Sequence, residues 1–370
     1  MNQNILYIFA AFILSAACGF IFIPQIIKFC RKKGLYDPPG GRKIHRNNIP
    51  RLGGISFVPS MMIATLIVVM VNNAEYSTQK ITLSSWSVSF FVGLLLIYGM
   101  GIVDDLLGLG ARTKFSVQTI AALLLPLSGL YINNLYGFCG IHEIPFAIGL
   151  PLTVFVIIFT CNAINLIDGI DGLSGGLTFI SLTGFLMCFL RDDLLLYCIL
   201  ISGLMGVLVS FLYFNIWGSV AANHKIFMGD SGSLSLGFIL GFLLVKYTMD
   251  DKETMVFHRD SMLLAYSLLV VPTFDVVRVA LLRIIHRKHI FQADKNHIHH
   301  KLMRTGLSQH QVLVTILMMA VAFIALNMIM NQWIGIGLTY IVAIDIVAWM
   351  AVHFTIDRFI VARSLPVFQE

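Results

Sequence analysis

Charge is what this sequence has least of: only 12% of its 370 residues are Asp, Glu, Lys or Arg, where a soluble domain carries ~25%. With 58% hydrophobic residues and a mean hydropathy of +0.85, no stretch is polar enough to cover a water-soluble domain. Cytosolic-enzyme and nucleic-acid-binding readings are thereby excluded, and the net charge of +6 speaks instead for basic loops on one side of a membrane. A disulfide framework is missing as well. Cys18, Cys30, Cys161, Cys188 and Cys198 lie in or beside apolar stretches, Cys139 stands alone in a short loop, and no CxxC spacing occurs. The first apolar run, Met1 to Pro24, has no basic residue before it; Lys28, Arg31, Lys32 and Lys33 follow it. That pattern fits a retained first helix with its N-terminus outside, not a signal peptide.

What is present is a succession of apolar runs. Eleven candidate spans lie near 5–29, 53–71, 86–103, 115–132, 145–163, 172–190, 194–214, 232–247, 261–284, 311–330 and 332–355. In that topology nineteen Lys and Arg residues fall in inner loops and five in outer loops, with Arg278 inside a span. The expectation is an all-α polytopic integral membrane protein, a single domain over 1–370 with a periplasmic N-terminus and a cytoplasmic C-terminus. Asp104, Asp105, Asp168, Asp171, Asp230, Asp275 and Asp294 also sort to the cytoplasmic side, while only Asp345 lies mid-span and no internal repeat is evident. A transporter more typically places its ionisable groups near the bilayer centre on interrupted, repeated helices, so an enzyme at the cytoplasmic interface is the favoured reading.

Four inner segments carry chemistry. Asp104 and Asp105 close the third span, followed by Arg112 and Lys114. Paired carboxylates there can hold a hard cation or divide acid and base work, and a solvated helix end is the plainer explanation. Asn162, Asn165, Asp168 and Asp171 recur every third residue, interleaved with Gly169 and Gly172. On a helix or tight turn they share one side and line one polar pocket; capping explains one or two of them, not four. The adjoining Gly172-Leu-Ser174-Gly-Gly176 spells G-x-S-x-G without the strand a nucleophile elbow needs, so helix packing is the better explanation. Asn215 and then Lys225-Ile-Phe-Met-Gly229-Asp230-Ser231-Gly232-Ser233 lead into the eighth span. A Gly/Ser turn at a helix start offers N–H groups to an anion, and Asp230 can carry the neutralising metal; an ordinary N-cap is the alternative. His297, His299 and His300 stand among Arg287, Lys295 and Lys301, after Asp275 and Arg278. Without a fixed fourth ligand, and in a basic setting, phosphate contacts are favoured over zinc, with a helix touching anionic lipid as the bland alternative. The first inner loop, Gly41-Arg42-Lys43-Ile-His45-Arg46 and then Pro50-Arg51-Leu-Gly53-Gly54, is by itself an unspecific basic turn.

In this order the segments resemble those of the polyprenyl-phosphate N-acetylhexosamine-1-phosphate transferases, glycosyltransferase family 4. The likeness spans essentially the whole chain: R-K-x-H…P-R-x-G-G, the DD pair, N-x-x-N-x-x-D-G-x-D-G-L, F-M-G-D-S-G-S and H-x-H-H. It implies transfer of a sugar 1-phosphate from a UDP-N-acetylhexosamine, UDP-GlcNAc first, to undecaprenyl phosphate, with release of UMP at the inner face of the plasma membrane. Mg²⁺ or Mn²⁺ would be the cofactor, and a cell-envelope polysaccharide such as O-antigen the eventual product. The implied partners are the UDP-sugar, the lipid phosphate, the bilayer and a second copy in a homodimer, with no nucleic acid. Carried onto this chain, Asn165 and Asp230 are metal ligands, and Asp104 and Asp105 a base and its partner. Asp168, Asp171 and Asn215 are nucleotide-site positions, His297, His299 and His300 bind the diphosphate, and His45 is a further substrate contact. H-I-H-H, eleven spans and His45 place the chain nearer the initiators of O-antigen, enterobacterial common antigen and teichoic acid than phospho-MurNAc-pentapeptide translocase. It departs from the family in a longer link between Asn215 and Asp230. A lipid monophosphate, with its second pKa near ~6, is largely dianionic at neutral pH, so Asp105 is expected to act mainly on the metal and less as a base. A multi-span transporter or flippase is the competing reading.

Overall fold

A computed structural model describes residues 3–37, 48–75, 81, 84–251, 257–289 and 294–368. His45 and the basic turn around it lie outside the described residues. The helices are α1 Gln3–Lys33, α2 Phe57–Glu75 after a 3₁₀ turn at Gly53–Ser56, α3 Ser85–Leu107, α4 Ala111–Leu127, α5 Phe146–Ile167, α6 Leu173–Arg191 and α7 Leu195–Ile216. They continue with α8 Asp230–Thr248, α9 Ser261–Ser267, α10 Val270–Ile285, α11 Ile298–Arg304, α12 Gln309–Gln332 and α13 Leu338–Ala362. Among the described residues nine helices are long and apolar enough to cross a membrane. The chain is an all-α polytopic membrane protein, as it must be when every backbone polar group in hydrocarbon needs an internal partner.

Two expected spans differ from the rest. The fourth is α4, 17 residues long, at the short end of what crosses a bilayer. The ninth is not one helix but two, α9 and α10, parted at Leu268 and Leu269. Pro272 has no N–H to offer the Leu268 carbonyl. Ser181 Oγ on α6 donates to that carbonyl instead, at 2.7 Å, so the break leaves it satisfied. Two short antiparallel ribbons, absent from the sequence expectation, complete the fold: β1 Tyr36–Asp37 with β2 Ile49–Pro50, and β3 Asn134–Phe138 with β4 Ile141–Glu143.

Helices in lipid gain nothing from hiding apolar surface from lipid tails, so they associate through close packing and buried hydrogen bonds. From Ser231 to Thr248 every residue of α8 is buried. A Cβ added to Gly237 would stand 2.5 Å from Cys161 Cα on α5, and Phe90 on α3 stacks on Phe242 with centroids 4.0 Å apart. Along α1 and α7, Ser202 Oγ donates to the Ile8 carbonyl at 2.6 Å and Ser210 Oγ to that of Ala16 at 2.8 Å. A second apolar cluster, including Leu302, Ile316, Phe323 and Trp349, joins α11, α12 and α13. At one end of the bundle the segment before α8 is laced to the entry of α2: Phe227 N–H donates to Pro50 O at 2.7 Å, Gly53 N–H to Phe227 O at 2.9 Å and Gly54 N–H to Met228 O at 2.8 Å.

Candidate active site

At that end α8 begins with Asp230, and its exposed N–H groups are capped from another helix. Asp105, at the end of α3, accepts the Asp230 N–H on Oδ1 at 2.8 Å and the Ser231 N–H on Oδ2 at 3.0 Å. Both oxygens thus sit at the positive end of α8, where an anion is best stabilised. Gly229 makes this approach with φ +77°; a Cβ there would lie 2.7 Å from Asp105 Oδ2. Arg51 donates to the Asp105 carbonyl, and α3 lies so close that a Cβ on Gly101 would be 2.5 Å from Ser231 Cα.

The Asp230 carboxylate receives Lys114 Nζ on Oδ2 at 2.6 Å and Asn165 Nδ2 on Oδ1 at 3.0 Å. Asn165 Nδ2 also reaches Ser233 Oγ at 2.8 Å. Lys114, from the first turn of α4, pairs with Asp104 Oδ2 as well, while Asp104 Oδ1 accepts the Leu109 N–H at 2.6 Å. One ammonium therefore stands between two carboxylates. In the sequence Lys114 shows only as a cation following the acidic pair.

The four-residue ladder does not line a single pocket. Asn162 turns to α4, donating to Gln118 Oε1 at 2.8 Å, Asn165 faces Asp230, and Asp171 pairs with Lys225 at 2.7 Å. Steps of three residues fall about 60° behind a full turn each time, and α5 ends at Ile167, before the ladder is complete. Asn215, expected at the nucleotide site, is engaged within the protein. Its Oδ1 accepts the Gly172 N–H at 2.6 Å and its Nδ2 donates to Ile226 O at 2.9 Å, so this buried amide clamps the start of α6 to the segment before Asp230. Ser174 of the G-x-S-x-G match is fully buried, with Oγ directed at Ile164 O, as packing requires. Burial first, then the charges of Asp230, Asp171 and Asp105, push the Asp168 carboxyl up to about 8.

Asp275 on α10 organises the histidines. It accepts the Ile298 N–H at 2.9 Å, contacts His297 Nδ1 at 2.8 Å and pairs with Arg278 at 3.2 Å. His297, expected to bind diphosphate, thus has one ring nitrogen engaged within the protein. His299 is buried against Gly169, both ring nitrogens without a partner. Burial, then the neighbouring His300 and His297, lowers its pKa well below the ordinary value. His300 is pushed down to about 4 by burial, then by His297, Lys295 and Arg304. At neutral pH these two rings are neutral hydrogen-bonding groups, not cationic counter-charges.

Among the described residues no three His, Cys, Asp or Glu side chains form a group able to hold a metal ion. A magnesium-like cation still fits. It binds through one or two carboxylates and completes its shell with water and substrate phosphate, and Asp230 with the Asn165 amide beside it supplies hard oxygen ligands of that kind.

A membrane-embedded bundle whose carboxylates, amides and lysines meet where the helices end has the form of an enzyme working on charged substrates at a membrane surface. Residues 87–248 match the model of glycosyl transferase family 4. The chain is 29% identical over 355 residues to a probable undecaprenyl-phosphate N-acetylglucosaminyl 1-phosphate transferase of Bacillus subtilis (strain 168), covering 93% of this chain and 91% of that one. It is 27% identical over 374 residues to the undecaprenyl-phosphate alpha-N-acetylglucosaminyl 1-phosphate transferase of Yersinia pestis, covering 100% and 95%. With the protein of that name from Escherichia coli (strain K12) the identity is 29% over 305 residues, 81% and 77% of the two chains. Over residues 87–248 the chain thus resembles glycosyl transferase family 4, and over most of its length it resembles these transferases.

Proposed function

We propose that this protein transfers N-acetylglucosamine 1-phosphate from UDP-N-acetylglucosamine to undecaprenyl phosphate, releasing UMP, at the cytoplasmic face of the plasma membrane and with Mg²⁺ or Mn²⁺. The observation that carries the proposal is convergence: Asp105, Lys114 and Asn165, from three different helices, all bond to the first residues of α8. The similar proteins of Bacillus subtilis, Yersinia pestis and Escherichia coli bear the name of this transfer.

In this reaction an oxygen of the lipid phosphate attacks the phosphorus that bears the sugar, and the bond from that phosphorus to the bridging oxygen breaks as UMP leaves with the electron pair. Asp230 and Asn165 would hold the cation, which when bound lowers the negative charge of the diphosphate and of departing UMP. Asp105 keeps Asp230 in place through the start of α8. Lys114 holds Asp104 and Asp230 together and offsets their mutual repulsion. His299, neutral and packed on Gly169 beside Asp168, and its neutral neighbour His300 offer hydrogen bonds to phosphate oxygens, and Lys225 with Asp171 borders the same turn. The attacking phosphate needs little proton removal, since its second pKa is near ~6. Both Asp105 oxygens accept N–H groups at the start of α8, so its main task is to position Asp230, more than to act as a base. His45 stays an expected substrate contact.

The test is UMP release by purified protein supplied with undecaprenyl phosphate, Mg²⁺ and a panel of UDP-sugars. UDP-N-acetylglucosamine should be turned over and EDTA should stop the reaction. Movement of lipid or anion across vesicles with no UMP formed would overturn the proposal.

A further inference from the structure

Between α10, α11 and α13, on the far side of the histidine segment, buried hydrogen-bond donors gather with nothing to donate to. Trp349 Nε1, His353 Nε2, and Arg278 Nε and Nη1 are all without a partner, and Trp349 and His353 are only 4% and 6% exposed. Lys301 Nζ lies 3.4 Å from His353 Nδ1. An ammonium can only donate, so Nδ1 is the acceptor and Nε2 carries the hydrogen. The rings of Trp349 and His353 adjoin, with centroids 4.9 Å apart. Arg278 uses Nη2 on Asp275 Oδ1 and the Asn296 carbonyl, which leaves its other edge unmatched. Burial, together with the charge of Arg278, disfavours the Lys301 ammonium even beside Asp357, so Arg278 and Lys301 share this space. Arg304 Nε is a further unpartnered donor.

Native proteins rarely leave buried polar groups unsatisfied. Here Trp349 Nε1, His353 Nε2 and the Nε and Nη1 of Arg278 lack acceptors, and the cations Arg278, Lys301 and Arg304 stand against the two carboxylates Asp275 and Asp357, so the missing partner is an anion rich in acceptors. Nearby, on the outside of α13, a groove of about 520 Å³ is lined by Phe354, Asp357, Arg358, Val361 and Ala362. Asp357 belongs to both places, lining the groove and pairing with Lys301. Phe354 and Val361 are 63% and 60% exposed on a membrane-spanning helix, a surface that acyl or prenyl chains cover. Basic pockets between membrane helices take lipid headgroups.

We infer that this pocket binds the phosphate of a membrane lipid, with its oxygens on Arg278, His353 and Trp349 and its chain in the groove along α13. Phosphatidylglycerol and undecaprenyl phosphate both have the required chemistry. The inference does not depend on the transferase reaction, because its test reads binding.

The test uses the full chain, delipidated in a neutral detergent, with lipid retention followed by native mass spectrometry and thermal melting by circular dichroism. Phosphatidylglycerol, undecaprenyl phosphate and phosphatidylcholine are titrated against the parent and the doubly substituted Trp349→Phe, His353→Leu protein. The parent should be stabilised saturably by an anionic lipid and not by phosphatidylcholine. The variant should bind that lipid at least ~10-fold more weakly, the loss expected when hydrogen bonds to a charged group disappear. Without lipid it should melt no lower than the parent, since its unmatched donors are gone. Stabilisation by undecaprenyl phosphate alone would make this a site for the acceptor; stabilisation by both would make it a general lipid-phosphate site, and either upholds the inference. Equal binding by parent and variant, or no saturable response to either anionic lipid, overturns it. The single Trp349→Phe variant, which keeps the ring packing, decides the matter if the double variant fails to fold.

Discussion

The carboxylate of Asp105 on α3 accepts the N–H of Asp230, the first residue of α8, at 2.8 Å. That bond makes the orientation of Asp230 depend on a residue from another span. Asp105→Ala should cost about 1–2 kcal/mol of stability, the value of a side-chain cap, along with most activity. Asp105→Asn keeps one acceptor oxygen, so it should lose less, and added Mg²⁺ should restore part of its UMP release. An Asp105→Asn protein equally inactive at every pH and Mg²⁺ concentration would show that Asp105 is a base after all.

Lys114 stands between Asp104 and Asp230 and so competes with any divalent cation for Asp230. In Lys114→Gln the two carboxylates repel unopposed. The cation-free variant should melt lower than the parent. Mg²⁺ should raise its melting temperature at lower concentration, because no ammonium has to be displaced, and turnover should fall. An unchanged Mg²⁺ midpoint would refute the competition.

Burial, and then the nearby carboxylates, push the Asp168 carboxyl up to about 8 from its ordinary 3.8. The folded protein therefore binds more protons than the unfolded chain between those values, and this group's contribution to stability is lost as pH rises through that window. In EDTA, melting temperature should decline from pH 5 to pH 8 more steeply in the parent than in Asp168→Asn, and the variant should be the more stable of the two above pH 8. Parallel curves would dismiss this assignment.

Gly99 and Gly101 lie on the same helix, yet only Gly101 meets a neighbour: its Cβ would reach Ser231 Cα, whereas nothing stands within 4 Å of Gly99. Gly101→Ala should destabilise by ~1–3 kcal/mol, as overpacking does, and displace the start of α8. Gly99→Ala should be silent. Thermal melts of the two variants separate the cases, and equal tolerance would contradict the close approach.

Much of the architecture could be read from the chain alone. Run length and charge distribution foretold the helices because an unpaired backbone group is intolerable in hydrocarbon. The break at Leu268 was concealed, even with Pro272 in view, because its repair depends on Ser181 from a distant helix. The short ribbons stay hidden because strands of two to five residues are too short for a legible alternation.

The candidate site divides along the same line. Alternating topology alone brings Asp104, Asp105, Asp168, Asp171, Asp230 and the histidines to one end of the bundle, since side chains at span ends must collect at a surface, and the sequence determined that much. It could not say that Asp105 caps α8, that Asn215 clamps Gly172 to Ile226, or that Lys114 sits between two carboxylates. Nor could it say that burial keeps His299 and His300 neutral. Lys114 and Asp230 are 116 positions apart, and Asp105 and Asp230 are 125 apart. The role of a polar side chain is set by whichever donor or charge packing brings within about 3 Å, and at such separations only the tertiary structure decided it.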